Sequence, residues 1–152
     1  MRLSPAVLSP RAVRTAEAAP DREQAIHRCA DVLEEIGAVE PAYRDAMLRR
    51  ERAMSTYMGA GVAIPHGLGG SRCLVKRDAL AVLRFPGGIE WDGGTVTVCV
   101  AIAARGDGHL ILLTGLAEIL MDPVRACALR SAGSAMDVVA MLNVVMSDQG
   151  DR

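Results

Sequence analysis

Two histidines are the side chains of this sequence whose type and setting could do chemistry. His66 ends the apolar stretch GAGVAIPHG, between a proline that fixes its own φ and a glycine that tolerates positive φ, which predicts a ring held at the end of a strand. His109 follows a second apolar run and the tetrapeptide RGDG, in the first turn of a predicted helix. Free N–H groups at a helix N-terminus favour anions and a neutral imidazole. Such rings can be nucleophiles, hydrogen-bond donors or metal ligands.

A metal site is the first alternative for two histidines. Zinc usually takes three or four protein ligands. Asp92 and Asp107 lie in glycine-rich loops, and Cys73 is separated from His66 by six residues that impose no ligand geometry. The patterns GxxxxGK[ST], GxSxG and HExxH are absent, so nucleotide hydrolysis, serine hydrolysis and zincin chemistry have no local support. The sequence therefore predicts no metal and no cofactor.

The elements that must position these rings follow from periodicity. Asp21 can cap a helix that ends near Gly37, and Pro41 opens a second helix that carries Arg50. Short apolar runs predict strands at 62–64, 80–83 and 95–103, the last of them central and covered on both faces. Further helices are predicted over 109–120, after Asp122, and after Ser134.

This order predicts an α/β fold, a single-domain sandwich whose mixed, partly parallel sheet of about five strands is flanked by helices on both faces. The loop after a central strand is where open α/β sheets bind ligands. The chain has 152 residues, 51% of them hydrophobic, which suits one domain over 1–152. We expect the N-terminal segment 1–20 and the tail 148–152 to be flexible. Four scattered cysteines, without a CxxC pair, are expected to be buried apolar residues.

Charge and hydropathy exclude several classes of partner. Lys and Arg number 17 against 18 Asp and Glu, and aromatic residues are few, so we expect no nucleic-acid binding. No purely apolar run approaches the ~20 residues that cross a bilayer. The N-terminus breaks its apolar content with two Ser-Pro pairs and lacks a secretory signal. A cytoplasmic protein without direct membrane insertion is expected.

The spacing of the first histidine motif resembles a known family. Glu51, Met58-Gly59 and the stretch VAIPHG resemble the active-site signature of the mannitol/fructose-type enzyme IIA domains of the bacterial phosphoenolpyruvate-dependent sugar phosphotransferase system. The likeness extends through VEPAYRDAMLRRERAMSTYMG before His66 and VAIAARGDGHLILLTGLAEIL after it, and is strongest to the mannitol branch. Many family members carry Glu-Ser at Ala60-Gly61 and a small polar residue at Leu68.

The resemblance implies roles for three residues. It assigns the phosphorylated histidine to His66, a second active-site histidine to His109 and an active-site arginine to Arg50. It implies transfer of a phosphoryl group from the phosphocarrier protein HPr to His66, and then to a cysteine of an enzyme IIB partner on a membrane permease, for uptake of mannitol or a related sugar or polyol. The alternative is a phosphorylation-dependent regulatory module of the nitrogen-related type, without a transport role.

Overall fold

The computed structural model of the chain describes residues 8–105, 115, 117–119 and 121–150, with side chains described as far as residue 142. Helices α1 (Arg22–Glu35) and α2 (Tyr43–Ala53) precede most of the sheet, and α3 (Pro123–Ser131) and α4 (Ala135–Gly150) follow it. The strands are β1 (Val13–Arg14), β2 (Tyr57–Gly59), β3 (Val62–Ala63), β4 (Ala79–Trp91) and β5 (Gly94–Ala103). Short 3-10 helices span Pro10–Ala12 and Gly69–Leu74.

Helices α1, α3 and α4 begin where their capping residues predict. The Asp21 side chain accepts a hydrogen bond from the Gln24 amide at 2.9 Å, which satisfies one free N–H of the first turn of α1. Asp122 caps α3 in the same way, and the Ser134 hydroxyl accepts from the Asp137 amide at the start of α4. Most of the helix predicted over 109–120 lies outside the described residues, although 115 and 117–119 are helical.

The described strands form one mixed sheet in the order β1-β4-β5-β3-β2. The pairs β1–β4 and β3–β5 are parallel, whereas β4–β5 and β2–β3 are antiparallel. The predicted α/β class and the mixed sheet are thereby confirmed. Strand β5 is the middle strand, as its apolar density predicted.

Apolar side chains cover both faces of the sheet. On β4, Ala81 and Leu83 pack with the residues of α1 and α2, whereas the alternate positions Leu80 and Val82 pack with residues of α3 and α4. Because successive side chains of a strand point to opposite faces, one strand contributes to two cores. This arrangement confirms helices on both faces, and none of the helices in the described residues is long and apolar enough to span a membrane.

Two features of the sheet differ from the sequence-based prediction. The strand predicted over 80–83 continues to Trp91, because the irregular register between Arg84 and Ile89 lets it run past the exposed Pro86 and its two following glycines. The two edge strands, β1 and β2, were not predicted, since their two and three residues show no periodicity of their own. Strand β1 forms by pairing in parallel with Val82 and Leu83, and β2 by pairing antiparallel with β3.

The cysteine prediction is half wrong. Cys29 and Cys99 are buried together, and burial raises the pKa of the Cys99 thiol well above its usual value, with the neighbouring Cys29 raising it further. Cys73 and Cys127 are exposed, because they lie on the outer sides of the Gly69–Leu74 turn and of α3. The buried pair therefore serves as apolar packing, as expected for free cysteines in a core.

Candidate functional site

His66 lies immediately beyond β3, beside the C-terminal end of the central strand. It forms an isolated parallel bridge with Ile102, whose amide donates to the Pro65 carbonyl at 2.9 Å. Three buried residues, Val62 to Ile64, lead into the buried Pro65, so the apolar run fixes the backbone that carries the half-buried imidazole. The predicted position at a strand end is confirmed.

A hydrogen bond to the backbone orients the imidazole of His66. Its Nδ1 lies 2.7 Å from the Ile64 carbonyl oxygen. A carbonyl only accepts, so Nδ1 must carry a hydrogen. In the neutral ring, Nε2 then holds the lone pair.

Tyr43 connects the histidine loop to two other elements. Its hydroxyl donates to the Ile102 carbonyl at 2.9 Å and accepts from the Gly67 amide at 2.8 Å. Burial raises the pKa of Tyr43 above its usual value, while the Gly67 N–H opposes that shift by favouring the phenolate. The sequence analysis missed this residue. In the sequence it is only a tyrosine at the start of the predicted second helix, and that position does not show which groups its hydroxyl would bind.

Gly67 is required for a different reason from the one expected. It is not among the residues with positive φ; those nearest to it in the chain are Gly59, Ala60 and Gly61, at the turn between β2 and β3. A Cβ on Gly67 would lie 2.5 Å from both the Tyr43 ring and the Ser71 hydroxyl oxygen. The close approach of Tyr43, rather than backbone handedness, therefore excludes a side chain here.

A small cationic pocket of about 120 Å³ opens beside His66. Its described lining includes Arg50, from the last turn of α2, and Arg72, from the Gly69–Leu74 turn, and it includes no Asp or Glu. The Arg50 guanidinium donates to the Met54 carbonyl, which restrains the side chain at the C-terminus of α2. The structure thus brings together two predicted site residues, His66 and Arg50, while His109 lies outside the described residues.

The buried carboxylate of Glu51 fixes the end of α2 next to the pocket. Its Oε1 accepts from the Trp91 indole at 2.7 Å and from the Thr56 amide at 3.0 Å, and its Oε2 accepts from the Thr56 hydroxyl at 2.5 Å. Three donors satisfy a carboxylate that is only 4% exposed. Glu51 therefore ties the helix that carries Arg50 to strand β4.

The third histidine does not contribute to this pocket. His27 lies on α1, where Arg44 lies 3.0 Å from its Nδ1 and also donates to its carbonyl oxygen. Helix α2 packs across α1 and brings the Arg44 guanidinium to the ring. Within the described part of the chain, no group of three or more His, Cys, Asp or Glu side chains could hold a metal ion.

Comparison with known proteins identifies the class to which this fold and pocket belong. Residues 6–144 match the family model described as phosphoenolpyruvate-dependent sugar phosphotransferase system, EIIA 2. The chain belongs to this family and is a phosphotransferase component of the enzyme IIA type.

Individual relatives fall into two groups. The chain is 36% identical over 143 residues to the mannitol-specific phosphotransferase enzyme IIA component of Halalkalibacterium halodurans, covering 94% of this chain and 99% of that protein. It is 41% identical over 138 residues to a multiphosphoryl transfer protein of Xanthomonas campestris, covering 90% of this chain but 16% of the relative. The chain thus spans only about a sixth of the length of that longer protein.

Solved structures agree with the sequence relatives. The crystal structure of mannitol enzyme IIA from Escherichia coli superposes with a TM-score of 0.80 at 29% identity, covering 89% of this chain and 98% of that one. A complex of the Escherichia coli mannitol enzyme IIA with phosphorylated enzyme IIB gives a TM-score of 0.80 at 28% identity, covering 88% and 94% of the two chains.

Proposed function

We propose that this chain is a phosphohistidine relay that accepts a phosphoryl group from HPr on Nε2 of His66 and delivers it to a cysteine of an enzyme IIB domain. One observation carries the proposal: the His66 ring is fixed through Nδ1, which gives Nε2 the lone pair, beside a pocket lined by arginine and by no described carboxylate. Phosphoryl transfer depends mainly on a positioned nucleophile and on positive charge around the equatorial oxygens.

Loading is a displacement at phosphorus between two imidazoles. The Nε2 lone pair of His66 attacks the phosphorus of phosphorylated HPr and forms a P–N bond. The P–N bond to the HPr imidazole breaks, and its electron pair stays on the HPr nitrogen. His66 keeps its hydrogen on Nδ1, so the phosphorylated ring is an imidazolium, and the Ile64 carbonyl stabilises its positive charge.

Delivery of the phosphoryl group from His66 to the partner depends on the same hydrogen bond between Nδ1 and the Ile64 carbonyl. A cysteine thiolate of the partner attacks phosphorus, a P–S bond forms, and the electron pair of the broken P–N bond returns to Nε2. Because Nδ1 remains protonated, the leaving group is a neutral imidazole rather than an imidazolate. The backbone contact of His66 therefore favours onward transfer as well as loading.

The guanidinium of Arg50 is proposed to bind oxygens of the phosphoryl group. Its planar fork suits two oxygens at once, and its bond to Met54 leaves other N–H groups for the anion. His109 is proposed as a second donor to the same group, as the family resemblance implies. This relay uses no metal and no cofactor.

Partner, cargo and location are parts of the same proposal. The names of the relatives support mannitol or a related sugar or polyol as cargo, taken up through a permease that carries the enzyme IIB acceptor. A cytoplasmic location fits a donor and an acceptor of this kind. We also propose that 1–152 is one enzyme IIA domain. The flexibility expected for 1–20 and 148–152 does not hold for β1, which pairs with β4, or for the end of α4 at Gly150.

The direct test is labelling by phosphorylated HPr with a radioactive phosphoryl group. We expect wild-type protein to gain an acid-labile phosphate, His66→Ala to gain none, and a His27→Ala control to be labelled normally. Addition of an enzyme IIB domain should remove the label, and an enzyme IIB variant without its cysteine should not. Unlabelled wild type, or labelled His66→Ala, would refute the relay. Labelling without discharge to any enzyme IIB would favour the regulatory alternative.

A further inference from the structure

We infer that Arg72 is a second phosphoryl-binding residue of this site, so that the pocket holds the anion between two guanidinium groups rather than one. This inference rests on the proposed function, because it names a further group for the same transfer. Arg50 and Arg72 reach the pocket from different elements, α2 and the Gly69–Leu74 turn. The family resemblance did not assign Arg72 a role.

The backbone of Arg72 is fixed while its side chain is exposed. The preceding residue, Ser71, is buried, and both its amide and its hydroxyl donate to the Leu68 carbonyl. The Arg72 carbonyl in turn accepts from the Val75 amide at 3.1 Å. The turn therefore holds the Cα of Arg72 at the pocket rim while the guanidinium extends from a rigid base.

The guanidinium of Arg72 has no structural partner among the described residues. Other arginines use their guanidinium groups to hold the fold, by donating to carboxylates or to backbone carbonyls: Arg44 to Asp31 and Glu34, Arg84 to Ala132, and Arg130 to Ala60. A cation that lines a pocket and holds no part of the fold is available to an incoming anion.

Charge at the pocket makes a phosphoryl group the fitting anion. The described lining contributes two guanidinium groups and one imidazole without a carboxylate to neutralise them. A dianionic phosphoryl group presents three oxygens, which can accept from both guanidinium groups at once. Arg72 is the exposed member of the pair, so it would meet the phosphoryl group as it enters on the donor protein.

The test uses inorganic phosphate as the probe and the Gly67 and Ser71 amides as nuclear magnetic resonance reporters, at constant ionic strength set with chloride. We expect Arg72→Gln to raise the dissociation constant for phosphate about 10-fold, because a charge-assisted hydrogen bond to an anion is lost. Arg72→Lys should recover part of the affinity, since it restores the charge but not the fork. Arg49→Gln is the matched control, because that exposed arginine pairs with Asp45 and does not line the pocket.

Equal phosphate affinity in Arg72→Gln and Arg49→Gln, or no saturable phosphate binding by the wild type, would overturn the inference. Labelling from phosphorylated HPr separates it from the proposed relay. If the wild type binds phosphate through Arg72 but is never labelled by HPr, the relay is wrong and the two-arginine anion site stands. If HPr labels the wild type, and Arg72→Gln matches the wild type in both phosphate affinity and labelling, the relay stands and Arg72 is a solvated side chain.

Discussion

The hydroxyl of Tyr43 is used twice, once as a donor to Ile102 and once as an acceptor from Gly67. The side chain is only 4% exposed, so water does not readily replace either bond. Both contacts lie within one residue of the His66–Ile102 bridge. At the scale of single residues, this phenol is what fixes the backbone of the proposed phosphoryl acceptor, His66.

Replacement of Tyr43 by phenylalanine should destabilise the protein by about 1–3 kcal/mol, because it leaves the buried Ile102 carbonyl and the half-buried Gly67 amide without their partner. The phenol pKa is raised in the folded state, so the neutral hydroxyl is the form that the fold stabilises. This contribution is complete below the unfolded pKa of about 10 and is lost as pH rises through the higher folded pKa. The stability deficit of Tyr43→Phe should therefore shrink in alkali.

Urea denaturation from about pH 8 to about pH 11 measures that deficit. Tyr57→Phe is the control, because the Tyr57 hydroxyl has no hydrogen-bond partner among the described residues. If Tyr43→Phe and Tyr57→Phe lost the same free energy of unfolding, or if the loss in Tyr43→Phe did not change with pH, the Tyr43 hydroxyl would not be the stabilising group.

At the scale of elements, the site depends on the contact between α2 and β4 that Glu51 makes. Glu51 accepts hydrogen bonds from Trp91 on β4 and from Thr56 in the segment after α2. Its neighbour Arg50 lines the pocket, so a shift of the last turn of α2 moves a group of the site directly. Helix and strand are thus connected through one buried carboxylate.

Replacement of Glu51 by alanine should lower the free energy of unfolding by about 3 kcal/mol or more, because it leaves the Trp91 indole N–H and the Thr56 amide without an acceptor in the core. Glu51→Gln should cost less, since an amide oxygen can still accept from those donors. Denaturant unfolding measures both variants, and tryptophan fluorescence of the only Trp reports on its indole environment. Equal stability of Glu51→Ala and wild type would show that the Glu51 contact between α2 and β4 does not stabilise the fold.

At the scale of the whole molecule, the proposed relay requires that two other proteins dock at one pocket. Leu68 lines that pocket and is 36% exposed, and Met54, whose carbonyl binds Arg50, is 68% exposed. Large apolar side chains at the surface beside a reactive group are typical of a docking area. The charged groups inside the pocket and the apolar groups at its rim therefore have separate tasks.

Leu68→Gln should slow phosphoryl transfer from HPr about 10-fold while leaving the binding of inorganic phosphate nearly unchanged, because it removes an apolar contact and no charge. Met136→Gln is the matched control, since Met136 is 62% exposed on α4, which packs beside β1 at the far edge of the sheet. Transfer rates and phosphate affinity are measured on the same preparations. A Leu68→Gln variant that transfers at the wild-type rate would remove Leu68 from the docking area.

The sequence by itself determined the features that neighbouring residues encode. Asp21 and Ser134 mark helix starts because a cap needs only a side-chain oxygen and the next amides, and the density of apolar residues in β5 marks a central strand. The stretch VAIPHG likewise places His66 at a strand end, and its spacing from Glu51 carries the family resemblance.

The tertiary structure decided what depends on residues far apart in the chain. Tyr43 and Ile102 are 59 positions apart, and only the packing of α2 against the sheet brings the hydroxyl to that carbonyl. The two-residue strand β1 exists because β4 offers it a partner, and Arg72 joins Arg50 because a short turn folds back to the pocket. Such contacts have no signal in local periodicity or capping, since their free energy arises only when separate elements pack together.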